Sequence, residues 1–201
     1  MCMRTLIFLT SILFVFLNSP LGAQDKKYDQ FIRGNNVGHL YVTTNSSDDG
    51  KAKKITVESV VNVNLILTRA RIEYTGWAEY KNGVLQKAEI EILRDGDIHT
   101  KSITKKTNGS YSVVIEGEQK KLDRYPIKFS SLMLYSVEPF GVGKVYAEVD
   151  GVYNRLRDQG MGKYELHLGG SRKNLYHYEN GVLVQAKLDH WIAPITVRIR
   201  E

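Results

Sequence analysis

The sequence is poor in cysteine and proline, with one and four residues of these types among 201. So few prolines exclude a collagen-like or Pro-rich chain, and one cysteine excludes a small scaffold held by disulfides. Apolar residues make up 42% of the chain and charged residues 25%, which is ordinary for a folded domain. The sequence therefore predicts a folded chain and does not by itself name a specific biochemical function.

The N-terminal segment has the pattern of a secretory signal peptide. Arg4 precedes an apolar run at residues 6–17, and Ala23 offers a small residue for cleavage. The run is shorter than the roughly 17–25 residues of a membrane span, although an uncleaved anchor is the alternative. Cys2 lies before the run rather than after it, which argues against a lipoprotein anchor. Cleavage after Ala23 removes Cys2 and leaves residues 24–201 without a cysteine, and so without thiol chemistry. The signal peptide predicts a periplasmic or secreted protein.

Apolar residues recur at every second position through most of residues 24–201. The longest such stretch covers residues 54–67, and shorter ones lie at residues 182–189 and 195–200. This period indicates antiparallel strands with one apolar and one polar face. Turn-forming pairs separate about a dozen candidate strands, and no linker divides them, so one domain is expected. The predicted turns are Gly34-Asn35-Asn36, Asn82-Gly83, Asp95-Gly96, Asn108-Gly109, Gly169-Gly170 and Asn180-Gly181.

Helical signals are confined to Ser130–Tyr135, where a strand is the alternative. One short helix cannot cover the apolar face of a dozen strands. The sequence therefore predicts a mainly β fold, an antiparallel barrel or half-barrel closed by the helix, a partner or an apolar ligand. A sandwich is the other way to cover that face.

The predicted interior comes from the longest strand and from two hairpin registers. If Asn82-Gly83 is a two-residue turn, Trp77 shares a face with the isoleucines of the next strand. These side chains line a pocket if the barrel is open and fill it if the barrel is closed. The candidate ligand-binding residues are Val61, Val63, Leu65, Trp77, Ile90, Ile92, Tyr164, Leu166, Leu168 and Val184.

Nucleotide and nucleophile motifs are missing from the sequence. Gly141–Lys144 lacks the first glycine and the Ser or Thr of a phosphate loop, and Gly160-Met161-Gly162 lacks the third glycine of a dinucleotide fingerprint. No Gly-x-Ser-x-Gly elbow occurs. No cofactor and no catalytic residue is therefore predicted.

Histidines and carboxylates offer no obvious site either. An even-numbered loop after Gly169 puts His167 and His177 on opposite faces, so no shared metal site is expected, although a one-residue bulge would change this register. Glu73, Glu89 and Glu91 fit a solvated strand face better than a catalytic pair. For Glu138, next to Pro139, a local hydrogen bond is expected.

The net charge of +6 is spread over several turns. For an exported protein this makes nucleic acid an improbable partner, and anionic lipid headgroups are the alternative. Solubility and protection of sheet edges explain the same charges.

Several stretches together resemble a family of uncharacterised exported β-rich proteins of Bacteroidetes-type bacteria. They are Phe31–Leu40, Ile72-Glu73-Tyr74, Pro126–Ser130, Leu134–Pro139, Val145–Glu148 and two Tyr-x-Asn-Gly-Val-Leu hairpins, at residues 80–85 and 178–183. The resemblance covers nearly all of residues 24–201 and implies no catalytic residues. The family is distantly similar to periplasmic half-barrels that shelter lipids or lipoprotein acyl chains, which implies a β half-barrel here.

Three functions stay open at this point. The first is a non-enzymatic carrier that holds a lipid or other apolar molecule in the barrel. The second is a structural or interaction protein of the cell envelope with a filled core and a protein partner. The third is an unrecognised hydrolase, disfavoured because no nucleophile, base or metal set can be named.

Overall fold

The computed structural model describes residues 24–65, 68–123, 126–190 and 193–200, with the backbone alone at Leu65 and Thr68. The predicted signal peptide, residues 1–23, lies outside this range. The strands are β1 (Gln24–Ile32), β2 (Asn35–Ser46), β3 (Ala52–Leu65), β4 (Thr68–Lys81), β5 (Val84–Arg94), β6 (Asp97–Lys106), β7 (Tyr111–Ile115), β8 (Glu118–Leu122), β9 (Lys144–Ala147), β10 (Val152–Gly160), β11 (Lys163–His167), β12 (Lys173–Glu179), β13 (Val182–Leu188) and β14 (Ile195–Ile199). One 3-10 turn, Ser131–Tyr135, precedes β9.

All fourteen strands belong to one antiparallel sheet. Each strand pairs with its neighbours in sequence, except that β1 pairs with β14 and that β8 and β9 form the two edges. The first and last strands therefore meet in the middle of the sheet. The prediction of a mainly β fold with one short helix is confirmed, in the form of an open sheet.

The sheet is strongly curved. Tyr74 on β4 and Leu166 on β11 line the same cavity, although seven strand steps separate these strands. In a flat sheet they would lie roughly 33 Å apart, at about 4.8 Å a step. The sheet therefore curls towards its apolar face, as expected for a half-barrel.

The alternation of β3 shows how the sequence divides the two faces. Ile55, Val57 and Val61 are buried, whereas Lys54 and Glu58 between them are exposed. The buried residues of nearly every strand join one hydrophobic core on the inner side of the curve. The outer side carries ion pairs and faces water.

The connection between the two edge strands runs across the inner face. We call residues 126–143 the crossing segment. Near its start, the Leu85 N–H of β5 donates to the Ile127 carbonyl oxygen at 2.8 Å. Further along, the Tyr164 hydroxyl of β11 donates to Glu138 Oε1 at 2.9 Å. The crossing segment thus connects opposite halves of the sheet and covers part of its apolar face.

The predicted helix is the centre of the crossing segment. Prediction placed it at Ser130–Tyr135, and the structure has a 3-10 turn at Ser131–Tyr135. Leu132 and Leu134 are 1% and 0% exposed, and the turn packs against β3, β4 and β9. The helix therefore serves as a plug inside the half-barrel.

The two similar hairpins hold the crossing segment from two sides. In the β4–β5 hairpin the Tyr80 hydroxyl shares a 2.6 Å hydrogen bond with Ser130 Oγ. In the β12–β13 hairpin the Tyr178 hydroxyl donates to the Leu134 carbonyl oxygen, also at 2.6 Å. The tyrosine of each Tyr-x-Asn-Gly-Val-Leu sequence thus has the same role.

The two Asn-Gly hairpin turns agree with prediction, whereas the first turn is Arg33-Gly34 and not Gly34-Asn35-Asn36, since Asn35 begins β2. Asn82-Gly83 and Asn180-Gly181 have positive φ at both positions, as a two-residue type I′ turn requires. After each turn, however, the pairing shifts by one residue through a bulge. These two bulges change which residues of the following strands face inwards.

The predicted histidine register is wrong by one residue. His167 pairs with Lys173 rather than with Asn174, because the β11–β12 loop has an odd number of residues. His167 and His177 therefore share the outer face, where they are separated by the length of β11.

Candidate functional site

A cavity of about 350 Å³ occupies the part of the half-barrel that the crossing segment leaves unfilled. The 3-10 turn forms one boundary through Ser131, Leu132 and Tyr135. Residues 149–150 of the β9–β10 turn and 189–190 of the β13–β14 loop also line it. The volume is at the lower end of the range of small-molecule sites.

The wall of the cavity is mainly apolar. Eight strands supply aliphatic side chains to it, so ordinary strand alternation builds most of the surface. The aliphatic lining residues are Leu40, Val57, Val61, Ile72, Ile92, Leu132, Ala147, Val149, Leu166, Leu168, Leu188 and Ile195.

Three tyrosines bring hydroxyl groups into this apolar wall. Tyr74 comes from β4, Tyr135 from the 3-10 turn and Tyr176 from β12. Burial raises the pKa of each, that of Tyr176 to about 12, and the nearby Glu148 carboxyl group adds to the effect. All three are therefore neutral at physiological pH and present O–H groups.

Gly76 makes room for the Tyr74 ring. A Cβ atom at Gly76 would lie 2.7 Å from the Tyr74 hydroxyl oxygen and 2.7 Å from Ile90 Cδ1. Two residues apart on one strand, Tyr74 and Gly76 share the inner face. The glycine thus lets the ring lie along β4 beside the cavity.

Two pairs of polar lining residues form hydrogen bonds with each other. The Ser59 hydroxyl donates to Gln30 Oε1 at 2.8 Å, and both residues are buried. Asn174 Nδ2 donates to the Tyr176 hydroxyl at 3.4 Å. By contrast, the hydroxyls of Tyr74 and Tyr135 form no hydrogen bond with another described residue.

Glu148 is a carboxylate buried beside the cavity, with 2% of its surface exposed. Its oxygens accept hydrogen bonds from Ser130 Oγ, from the Ser131 N–H at 3.0 Å and from the Leu132 N–H at 3.3 Å. Burial raises the pKa of Glu148, although these donors oppose the shift. The carboxyl group anchors the crossing segment to the turn after β9.

Acidic loop residues are part of the cavity lining. Asp150 and Asp189 lie there with His190, whose pKa is lowered mainly by burial, with Asp189 acting in the opposite direction. None of the described lining residues is a lysine or an arginine.

Four of the ten predicted interior residues line the cavity: Val61, Ile92, Leu166 and Leu168. Three others, Val63, Ile90 and Tyr164, are buried in the adjoining core, with exposures of 4%, 0% and 3%. The side chain of Leu65 lies outside the described part of the chain.

The prediction for Trp77 is wrong. Trp77 pairs with Glu89, not with Ala88, because a bulge between the turn and this pair inserts Gln86 into β5. Its ring faces outwards, with Lys54 Nζ and Lys87 Nζ 4.8 and 4.7 Å from the ring centroid.

The prediction for Val184 fails for the same physical reason. Tyr178 pairs with Leu183 and His177 with Gln185, so Val184 is the extra residue of the bulge. Val184 is half-buried and lies outside the hydrophobic core, whereas Leu183 is 1% exposed.

Sequence reasoning missed the polar members of the site. The alternation of β4 is enough to predict that the Tyr74 side chain points inwards. The sequence does not show that its hydroxyl group lies at a cavity. Glu148 ends the apolar stretch Val145-Tyr146-Ala147, and a carboxylate there was a signal of a buried charge. For Glu138, the expected local bond is instead a contact with Tyr164 on β11.

Within the described ranges, no cluster of three or more His, Cys, Asp or Glu residues is arranged to hold a metal ion. No helix in the same ranges is long and apolar enough to cross a membrane.

A family model for a domain of unknown function, DUF6134, matches residues 28–200. The chain belongs to the DUF6134 family. This match begins at Tyr28 within β1 and extends past the end of β14, so it includes all of the sheet except the start of β1, together with the crossing segment and the cavity. No curated protein and no solved structure gave a significant match.

Proposed function

We propose that this DUF6134 chain is a non-enzymatic binding protein that encloses a lipid-like or other apolar small molecule in its half-barrel. The observation that carries this proposal is the cavity of about 350 Å³ with aliphatic walls next to a well-packed plug. Apolar surface exposed to water inside a cavity is unfavourable, and an apolar ligand removes that exposure.

The placement of polar groups supports binding rather than catalysis. The buried carboxyl group of Glu148 is held by three donors of the crossing segment, so its hydrogen-bonding capacity is committed to the fold. A general base must reach the proton of a substrate, and Glu148 is already engaged elsewhere.

Export forms part of the proposal. The pattern of residues 1–23 is that of a secretory signal peptide, and a soluble carrier of apolar molecules suits the aqueous space of the cell envelope. The proposal also adopts the analogy of fold with periplasmic half-barrels that the sequence resemblance implies.

Ile92→Trp tests the proposal because a larger side chain at this lining position reduces the cavity volume. We expect an environment-sensitive apolar fluorophore to bind to the purified protein and to lose most of its affinity in the variant. Glu91→Trp is the matched control, since Glu91 lies on the outer face of the same strand and pairs with Lys101. Equal binding by both variants, with unchanged circular dichroism, would contradict a ligand site in the cavity.

A protein-interaction role is the second candidate, and exposed apolar side chains favour it. Phe140 and Met161 are 74% and 92% exposed. Their loops are adjacent, because a Cβ at Gly162 would lie 3.7 Å from Glu138 Oε1. If Phe140→Ser with Met161→Ser abolished association with an envelope protein while ligand binding was absent in the parent, this second function would replace the first.

A further inference from the structure

The cavity also indicates which chemical class of ligand fits it. We infer that the ligand is an uncharged apolar molecule with a hydroxyl or carbonyl group, bound through the hydroxyls of Tyr74 and Tyr135, and not a fatty-acid anion or other acidic lipid. This inference rests on the proposed function and makes it more specific.

The first argument is the sign of the charges around the cavity. Its described lining includes Glu148, Asp150 and Asp189 but no lysine or arginine. A carboxylate or phosphate moved into such a cavity would lose its hydration without a cation to replace it. An anionic head group is therefore excluded from the interior.

The second argument concerns the hydrogen bonds that the wall can still offer. The Tyr74 and Tyr135 hydroxyls have no partner among the described residues, and each can donate one hydrogen bond and accept others. A hydroxyl or carbonyl oxygen of a ligand satisfies such a donor, which a plain hydrocarbon cannot do. A ligand that displaces water from these hydroxyls without replacing its hydrogen bonds loses affinity, so the wall favours a ligand with a neutral acceptor.

The third argument excludes an ammonium head group. The carboxyl oxygens of Glu148 already accept three hydrogen bonds from the crossing segment. Aliphatic residues form most of the remaining wall. The other two lining carboxylates are not buried, since Asp150 is exposed and Asp189 half-buried. A cation among the aliphatic residues would therefore be desolvated without a buried free carboxylate to pair with it.

Three probes with the same alkyl chain and different head groups test the inference: decanol, decanoate and decylammonium. Each is titrated at neutral pH into the purified protein by displacement of the bound fluorophore. We expect decanol to bind at least about ten-fold more tightly than either ion, a difference of about 1.4 kcal/mol. Decanoate or decylammonium binding as tightly as decanol would overturn the inference while leaving the proposed function in place.

Tyrosine variants test the role of the two hydroxyls. The double variant Tyr74→Phe with Tyr135→Phe should weaken decanol binding about three- to ten-fold, as expected for lost hydrogen bonds, and leave decane binding unchanged. Tyr41→Phe is the matched control, because Tyr41 lies on the outer face with its ring near Lys27 Nζ. Equal losses for decanol and decane would contradict recognition through the hydroxyls.

If the double variant does not fold, the head-group series on the parent protein decides the inference alone. If none of the probes binds to the folded parent, the proposed function fails together with the inference.

Discussion

At the scale of single residues, Glu148 and Trp77 show opposite consequences of position in a sheet. Glu148 is an ionisable side chain in the core, stabilised by donors of the segment that it anchors. Trp77 is a large aromatic on the outer face, where two lysine side chains cover it. Residue type alone would have placed the tryptophan in the core and the glutamate on the outer face.

The buried carboxyl group of Glu148 predicts a particular pH dependence of stability. Burial raises its folded-state pKa above the ordinary value of 4.5, so the folded protein holds the proton more tightly than the unfolded chain. The contribution of this proton to the free energy of unfolding is complete below the pKa of Glu148 in the unfolded chain. It is lost as the pH rises through the pKa of Glu148 in the folded protein. Each unit of pKa shift corresponds to about 1.4 kcal/mol.

Glu148→Gln removes this titration. We expect the free energy of unfolding of the parent, relative to that of the variant, to fall as the pH rises from about 4.5 towards neutrality. Urea unfolding of both proteins over this range measures the difference, in which the contributions of other groups cancel. Parallel pH profiles would show that Glu148 does not titrate with a raised pKa.

At the scale of elements, the two-residue period of the sequence predicted the strands. The bulges determine which side chains of a strand face inwards. Alternation at residues 54–67 predicted β3 correctly, because a half-buried strand leaves a period of two in the sequence. Trp77 and Val184 were misplaced because one extra residue, Gln86 in β5 and Val184 in β13, shifts the register shortly after a correctly predicted turn. A bulge depends on the packing of both strands and leaves no composition signal of its own.

The 3-10 turn is the element whose packing matters most for the inner face. Leu134 is fully buried, and its carbonyl oxygen accepts the hydrogen bond of Tyr178. Leu134→Ala should lower the free energy of unfolding by about 2–5 kcal/mol through lost burial and a cavity. Chemical denaturation measures this change.

Phe140→Ala is the control for that substitution, because Phe140 belongs to the same crossing segment but is mostly exposed. Its effect should remain within about 0.5 kcal/mol. Similar effects of both substitutions would mean that the 3-10 turn does not plug the half-barrel.

At the scale of the whole molecule, the sequence correctly predicted a one-sided sheet that must be covered, but left the cover undecided. Barrel, half-barrel and sandwich share the same alternation, and the choice depends on contacts between distant residues. The bond from Tyr164 to Glu138 and the bond from Leu85 to Ile127 are such contacts. They place the crossing segment over one part of the apolar face and leave the other part as the cavity.

Enclosure of an apolar ligand in that cavity is the central claim, and native mass spectrometry tests it most directly. The protein, purified gently from a bacterial periplasm, is weighed intact beside its Ile92→Trp variant, and the bound molecule is then extracted and identified. The account predicts a defined lipid-sized adduct on the parent, with an uncharged hydroxyl or carbonyl head group, and its loss from the folded variant. A parent that carries no adduct in lipid-containing preparations, or an adduct that persists at equal occupancy in the variant, would contradict the account.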